Sequence, residues 1–387
     1  MKLRRYVYTT AIASVAAITL AGCVQSSTGA QGGSGDNSSG KSSVTVFISG
    51  DTNVQDLWQK NLIPAYEKAN PGASVKVSFD LHGEHDQQTV AKLTAASQQK
   101  KDPGMDLVDA GFVSQLSQSN LLTKVSTSNI PELKGVNADS IKAGGGGGIP
   151  YRGSSVLLAY DTKTVKSPPK TLDGLLDWIK ANPGKFAYNS PDSGGSGGAF
   201  VTTVLDSKLS ASVRKKMETS SVPDLESKWD PGFATLASLN PYVYQKGVYP
   251  NGNNQVLDLL SSGQIAMAPV WSDQFVTAKK NGQIPDTVDS TQISNPSFTG
   301  GASYLGIPKS SKHQDAALKL ASWVLQPKAQ ALIADGIAGY PVISLSKLPK
   351  KIQNQFKNFD VGNLRPGYFA TMSADENKLW AQKVPGK

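Results

Sequence analysis

The sequence predicts an α/β fold, and three observations lead there. Strand-like runs rich in β-branched residues alternate with runs whose apolar residues recur at three and four positions. In the first third the order is strand, helix, strand, helix, strand, the pattern of parallel βαβ units. The chain has one cysteine, at position 23, so no disulfide can hold the body together and a hydrophobic core must. Residues 44–387 suffice for one large domain or two ordinary ones.

The elements follow in order. Ser43 to Ile48 reads as a first strand that stops at Ser49-Gly50-Asp51-Thr52-Asn53. Leu57, Trp58, Leu62, Ala65, Tyr66 and Ala69 make one apolar helix face, ended by Pro71-Gly72. Ser74 to Phe79 alternates as a second strand, Val90 to Ala96 belongs to a second helix, and Met105 to Gly111 is a third strand. In open parallel sheets, ligands bind beyond the carboxyl ends of the strands, which points to Asp51, Thr52, Asn53 and the stretch Asp109 to Phe112. Gly144 to Gly148 is a flexible crossing. Strands are expected at Val156 to Tyr160, Lys185 to Tyr188, Ile265 to Val270 and Ala302 to Ile307, with helices at Thr171 to Ala181 and Gln314 to Leu325. Pro327 opens the next helix, as proline does at a first turn.

The N-terminus carries an address. Lys2, Arg4 and Arg5 precede an uncharged, mostly apolar run from residue 6 to 22, which ends in Leu20-Ala21-Gly22-Cys23. A basic start, a short apolar core and small residues before a cut site mark an export signal, and Leu-Ala-Gly-Cys resembles the bacterial lipobox. Residues 1–22 are therefore expected to be a lipoprotein signal peptide, Cys23 the lipidated residue, and 23–43, rich in Ser and Gly, a flexible tether. The net charge of +9 falls to +6 without Lys2, Arg4 and Arg5. The lysines are scattered, which describes a solvated surface and not the focused basic face that nucleic acid requires.

Several stretches together resemble the extracellular solute-binding proteins of ABC importers, in the two-lobed class with maltose-, polyamine-, thiamine- and iron-binding members. They are Asn61-Leu-Ile-Pro-Ala-Tyr-Glu-Lys-Ala-Asn-Pro-Gly72; Ile149-Pro150-Tyr151, Leu158-Ala159-Tyr160-Asp161 and Pro168-Pro169-Lys170-Thr171-Leu172; Leu260 to Trp271; and Ile307 to Leu318 with Pro327-Lys-Ala-Gln330. Asn182 to Tyr188 and Gly282 to Asp286 look closest to the YnjB branch. The resemblance implies a periplasmic-binding-protein type II fold with a ligand cleft between lobes. Lobe 1 is expected over 44–157 and 301–337, and lobe 2 over 158–300 and 338–387. It implies a monomer that passes a small-molecule ligand to an importer permease, held at the membrane by its lipid, with no enzymatic activity and no cofactor.

Candidate site residues remain in competition. Asp192 to Gly198 places Ser193, Gly194 and Ser196 before a helix, where backbone N–H groups and hydroxyls suit an anion; an ordinary N-cap reads the same way. Gly194-x-Ser196-x-Gly198 also spells a nucleophile elbow, with His313 and Asp273 as partners in a secreted serine hydrolase, a distant alternative. Trp271 and Asp273 follow a buried strand and suit an organic cation or a sugar, or Trp271 plugs a core. Arg152 beside Tyr151 clamps a carboxylate or phosphate, or makes an ion pair. Phe112, Tyr151, Tyr304 and Tyr340 match cleft-lining positions of the family. His82-Gly83-Glu84-His85 lacks the third and fourth ligands that zinc needs and reads as a polar loop. The set favours a small polar organic ligand, with an anionic or phosphorylated ligand or a sugar as alternatives.

Cys23→Ala is expected to abolish acylation, so that the protein leaves the membrane fraction; unchanged retention and unchanged incorporation of labelled fatty acid would contradict a lipid anchor.

Overall fold

The structure, a computed structural model, describes residues 42–193, 195–357 and 364–385. The expected signal peptide, Cys23, nearly all of the tether and Gly194 lie outside the described residues. Seven strands form one sheet in the order β2-β1-β3-β7-β4-β5, with β6 paired to β4. The strands are β1 (Ser42–Gly50), β2 (Ala73–Leu81), β3 (Leu107–Asp109), β4 (Gly148–Asp161), β5 (Met267–Trp271), β6 (Val288–Thr291) and β7 (Gly300–Gly306).

β1 is buried on both faces, as its run of β-branched residues requires. Val44, Val46 and Ile48 enter one core, while Phe47 points into a second with Val108 and Phe112. β2 and β3 flank β1 in parallel, with Val46 opposite both Val77 and Leu107. The helix after β1 runs Thr52–Asp56, widens into a π segment at Leu57–Leu62 and continues as Ile63–Ala69. Pro64, two residues past the widened turns, has no N–H to give.

The parallel βαβ expectation for the first third holds in β1, β2 and β3, and the later strands are antiparallel. β7 is antiparallel to β3 and β4, and β5 and β6 are antiparallel to β4. β4 begins at Gly148, eight residues before the expected Val156. Its first part, to Ser155, pairs with β7, and its second part, from Val156, pairs with β5. Ile149 and Tyr151 therefore belong to the core of lobe 1, and Val156 and Leu158 to that of lobe 2. The expected strand at Lys185 to Tyr188 is a single bridge, Phe186 to Met267. Its apolar pattern reflects burial of Phe186, Ala187 and Tyr188 and not a ladder.

Residues 340–356 extend the core that holds β1, and the residues after them pack in the other core. Tyr340, Val342, Ile343, Leu348, Ile352 and Phe356 all pack in the core of lobe 1, while Tyr368, Met372, Trp380 and Val384 pack in that of lobe 2. The last helix, Ala370–Lys383, thus closes the second core.

That helix buries a carboxyl. Glu376 is 2 % exposed and accepts a hydrogen bond from Thr202 Oγ1 at 2.8 Å. Burial pushes its pKa up to about 8, against the Thr202 bond. The folded state then holds this proton more tightly than the unfolded chain, whose glutamate titrates near 4.5. Stability from this group is complete below that value and is lost as pH rises to about 8. Glu376→Gln is expected to remove this slope and to raise stability above pH 8 by on the order of a few kcal/mol, read from urea unfolding across pH 5–9. An unchanged slope would contradict it.

Candidate functional site

Two polar chains run along the seam where the lobes meet. The first starts at Asp109, the last residue of β3. Its Oδ2 accepts from Trp58 Nε1 at 2.8 Å and from the Tyr151 hydroxyl at 2.6 Å. Arg152 Nε donates to that same Tyr151 oxygen at 2.8 Å, and Arg152 Nη1 pairs with Asp273 Oδ2 at 2.8 Å. Ser154 donates to the other oxygen of Asp273 at 2.7 Å. Ser155 and Tyr340 share a hydrogen bond at 3.0 Å between their hydroxyls.

Burial sets the electrostatics of this chain. The side chains of Arg152 and Asp273 are 11 % and 5 % exposed. Burial raises the pKa of Asp109, while Arg152 and the bonds from Tyr151 and Trp58 oppose the rise. Burial also holds the Tyr151 phenol protonated, well above the usual range. For Arg152, burial works against the charge, and Tyr151, Asp273 and Asp109 outweigh it. Asp273 sits in the first turn of the helix Ser272–Lys280, where the helix dipole adds to its stabilisation.

The second chain crosses directly between lobes. Asp51 Oδ2 accepts from Asn253 Nδ2 at 2.7 Å, and Asp51 Oδ1 contacts His82 Nδ1 at 2.8 Å. The hydrogen bond to Asp51 raises the pKa of His82, against burial. Asn253 opens the helix Asn253–Ser261 of lobe 2. Its neighbour Gly252 lies at φ +88°, under the His82 ring, where an added Cβ would come within 2.8 Å. Asn251 Nδ2 reaches Glu84 Oε1 at 3.3 Å. Behind Asn253, Ser196 donates to its Oδ1 at 2.7 Å and lies 2.8 Å from Asn189 Oδ1, and Ser193 Oγ accepts from Gly252 N at 2.9 Å.

The structure thus joins Asp51, Tyr151, Arg152, Ser193, Ser196, Asp273 and Tyr340 to these two chains. Asn53 is 9 % exposed, and Thr52 beside it is exposed. Trp271 is partly exposed at the end of β5 and packs on the start of the helix Gly195–Asp206; a Cβ on Gly195 would meet its indole at 2.8 Å. Phe112 packs in a lobe 1 core, 6.4 Å from Phe47. Tyr304 turns into lobe 1, where its hydroxyl donates to the Ser140 carbonyl at 3.0 Å. These two positions support the fold around the glycine-rich crossing and the end of β3.

The hydrolase geometry is not assembled. Ser196 is fully buried with two asparagines as its partners, while His313 stands at the N-terminal end of the helix Gln314–Val324 of lobe 1. His82 and His85 turn to different aspartates, Asp51 and Asp80. Sequence reasoning missed Trp58, Ser154, Ser155, Asn253, Ser272, whose hydroxyl lies 3.2 Å from that of Ser154, and Gln274, whose Nε2 donates to Asn254 Oδ1 at 2.6 Å. The string Asn251-Gly252-Asn253-Asn254 was the one visible signal, a polar helix start with no pattern to tie it to Asp51 two hundred residues away.

Asp273→Ala strands the Arg152 charge in a buried site, and it is expected to cost about 3–5 kcal/mol of stability. Adding Arg152→Met is expected to restore much of that loss, as read by urea unfolding. A double variant as unstable as the single one would contradict the pairing.

Known proteins share both the sequence and the architecture. The chain is 26 % identical over 204 residues to protein YnjB of Escherichia coli, a match that covers 52 % of each, so it spans about half the length of that curated relative. An ABC transporter structure from Clostridium perfringens superposes with a TM-score of 0.61 at 16 % identity, over 87 % of this chain and 98 % of that one. Maltose-bound MalE3 of T. maritima superposes with a TM-score of 0.66 at 14 % identity, over 88 % and 93 %. At those identities the structures speak for the periplasmic solute-binding fold alone. The family described as bacterial extracellular solute-binding protein matches residues 61–359, and this chain belongs to that family of non-enzymatic binding proteins.

Proposed function

We propose that this protein is a lipid-anchored receptor that captures a small polar organic ligand between its lobes and delivers it to an ABC importer. The observation that carries the reading is the seam itself: Asp51, just after β1, and Arg152, on β4, meet the starts of two lobe 2 helices through direct hydrogen bonds, Asp51 to Asn253 and Arg152 to Asp273. A ligand held there touches both lobes, so binding and closure are one event. The importer and the lipid anchor rest on the lipobox-like Leu20 to Cys23 and on the family resemblance.

The anion reading loses support from the geometry. Arg152 is already engaged by Asp273 and Tyr151, and the Ser196 hydroxyl by Asn189 and Asn253. Trp271, partly exposed at a strand end, offers an apolar face that a bare oxyanion has no use for.

The test is Trp271→Ala. Loss of a stacked aromatic is expected to weaken binding of the ligand co-purified with the protein by about ten- to a hundredfold, measured by titration calorimetry. The melting temperature of the ligand-free protein is expected to stay nearly unchanged. A loss of about 3–5 kcal/mol in stability with wild-type affinity would make Trp271 a packing residue. Absence of saturable binding by any small molecule would overturn the receptor reading.

A further inference from the structure

His82 stands where the Asp51 chain crosses from the turn after β2 to the helix Asn253–Ser261. Its Nδ1 lies 2.8 Å from Asp51 Oδ1, and the other oxygen of that carboxylate accepts from Asn253 Nδ2 at 2.7 Å. Its ring lies against Gly252, where an added Cβ would meet three ring atoms within 2.9 Å. The His82 side chain is only 9 % exposed. Proton uptake therefore places a full charge inside a nearly closed contact between elements far apart in the chain.

The groups around the ring decide which form the contact prefers. Asp51, just after β1, and Glu84, on the same turn as His82, are the carboxylates that act on it. Asp80 and Asp86 also belong to this region, and they bond to His85 and to Ser49. The opposite side brings Ser193, Asn251, Gly252 and Asn253, none of them charged, while Asp192 is exposed and bonds to Ser190. The bond to Asp51 raises the His82 pKa above its ordinary 6.5, against burial, and the charges of Asp51 and Glu84 act in the same direction. A neutral His82 leaves Asp51, itself 8 % exposed, with neutral donors only among the described residues. A hydrogen bond between two charged partners is stronger than one with a single charge, so the contact is firmest when the ring carries its proton. Its contribution is complete below about 6.5 and is lost as pH rises through the higher value of the folded state.

We propose that His82 is a proton-operated latch: protonated, it holds Asp51 in place for Asn253 and keeps the seam joined, and neutral, it lets the seam part. The consequence for capture, a ligand held more firmly in acid than in mild alkali, rests on the seam being the capture site.

The experiment follows hydrogen exchange in the full chain, with no ligand added, by mass spectrometry at pH values on either side of a histidine raised above about 6.5, near 5.5 and near 8.5. Each rate is divided by the intrinsic rate at that pH. Two stretches report on the contact: residues 78–84, where Gly50 O accepts from His82 N–H, and residues 249–257, where Ser193 Oγ accepts from Gly252 N–H. Protection of both stretches is expected to fall about tenfold from the lower pH to the higher, the difference between a charge-assisted hydrogen bond and a neutral one. His82→Gln, which keeps an N–H donor and cannot titrate, is expected to show equal protection at both values. His85→Gln removes the exposed histidine paired with Asp80 and is expected to keep the wild-type step. Asp86, pushed up to about 6, and Glu376, pushed up to about 8, titrate in the same range and are the same in all three chains, so the comparison isolates His82. Circular dichroism verifies that each variant folds. The step is also expected to centre on the midpoint of the His82 ring, read from its Cε1 proton by NMR, a measurement that needs no variant. A flat wild-type profile, a step centred elsewhere, a step retained in folded His82→Gln or one lost in His85→Gln would each overturn the latch. None of these readouts uses a ligand, so their failure leaves the receptor reading to its own binding test. A chain that shows the step and binds no small molecule ends the receptor reading and leaves the proton-linked contact standing.

Discussion

Everything in this molecule hangs on β4, one strand of 14 residues that serves two cores. Its first part is laddered to β7 and its second to β5 and β6. A strand is stiff along its length because its ladder bonds and its alternating side chains must be kept together. The lobes are therefore joined by continuous pairing, with β7 running back beside β4, and not by a loose linker. The side chains at the middle of that ribbon stand between the two cores.

Those middle side chains are Arg152, Ser154 and Ser155. They lie between Ile149 and Tyr151 in one core and Val156 and Leu158 in the other. Placing a guanidinium there carries a large desolvation cost, met only by charge and hydrogen bonds in good geometry. Asp273 supplies the charge from the helix that follows β5, and Tyr151 relays the remaining bond to Asp109. The relative placement of β3, β4 and that helix is thereby fixed by a polar contact of narrow tolerance. Packing alone would tolerate small slides between the lobes; this pairing does not.

The second chain has a different character. Asp51, His82, Asn253 and Ser196 are joined by bonds between short, polar side chains at element ends. Gly252 lets the His82 ring come close. Contacts of this kind join element ends and leave the packing of the cores behind them untouched. The arginine chain organises the ribbon, and the Asp51 chain joins elements on either side of it.

The sequence by itself determined the class of fold and most of the elements. β1, β2, β3 and the helices between them were legible because burial on both faces, or on one helical face, imposes a period on neighbouring residues. The strand-end rule also led to Asp51 and Asn53, and the short strand before Trp271 led to Asp273. Tertiary structure alone decided that Lys185 to Tyr188 is no strand, that β4 starts at Gly148, and that residues 340–356 pack in the core that holds β1. It alone set Phe112 and Tyr304 into the scaffold and brought Asn253 to Asp51 and Gln274 to the seam. The physical reason is range. Periodicity records what a residue does relative to its neighbours three or four positions away, whereas hydrogen bonds between residues 121 or 202 positions apart leave no local trace.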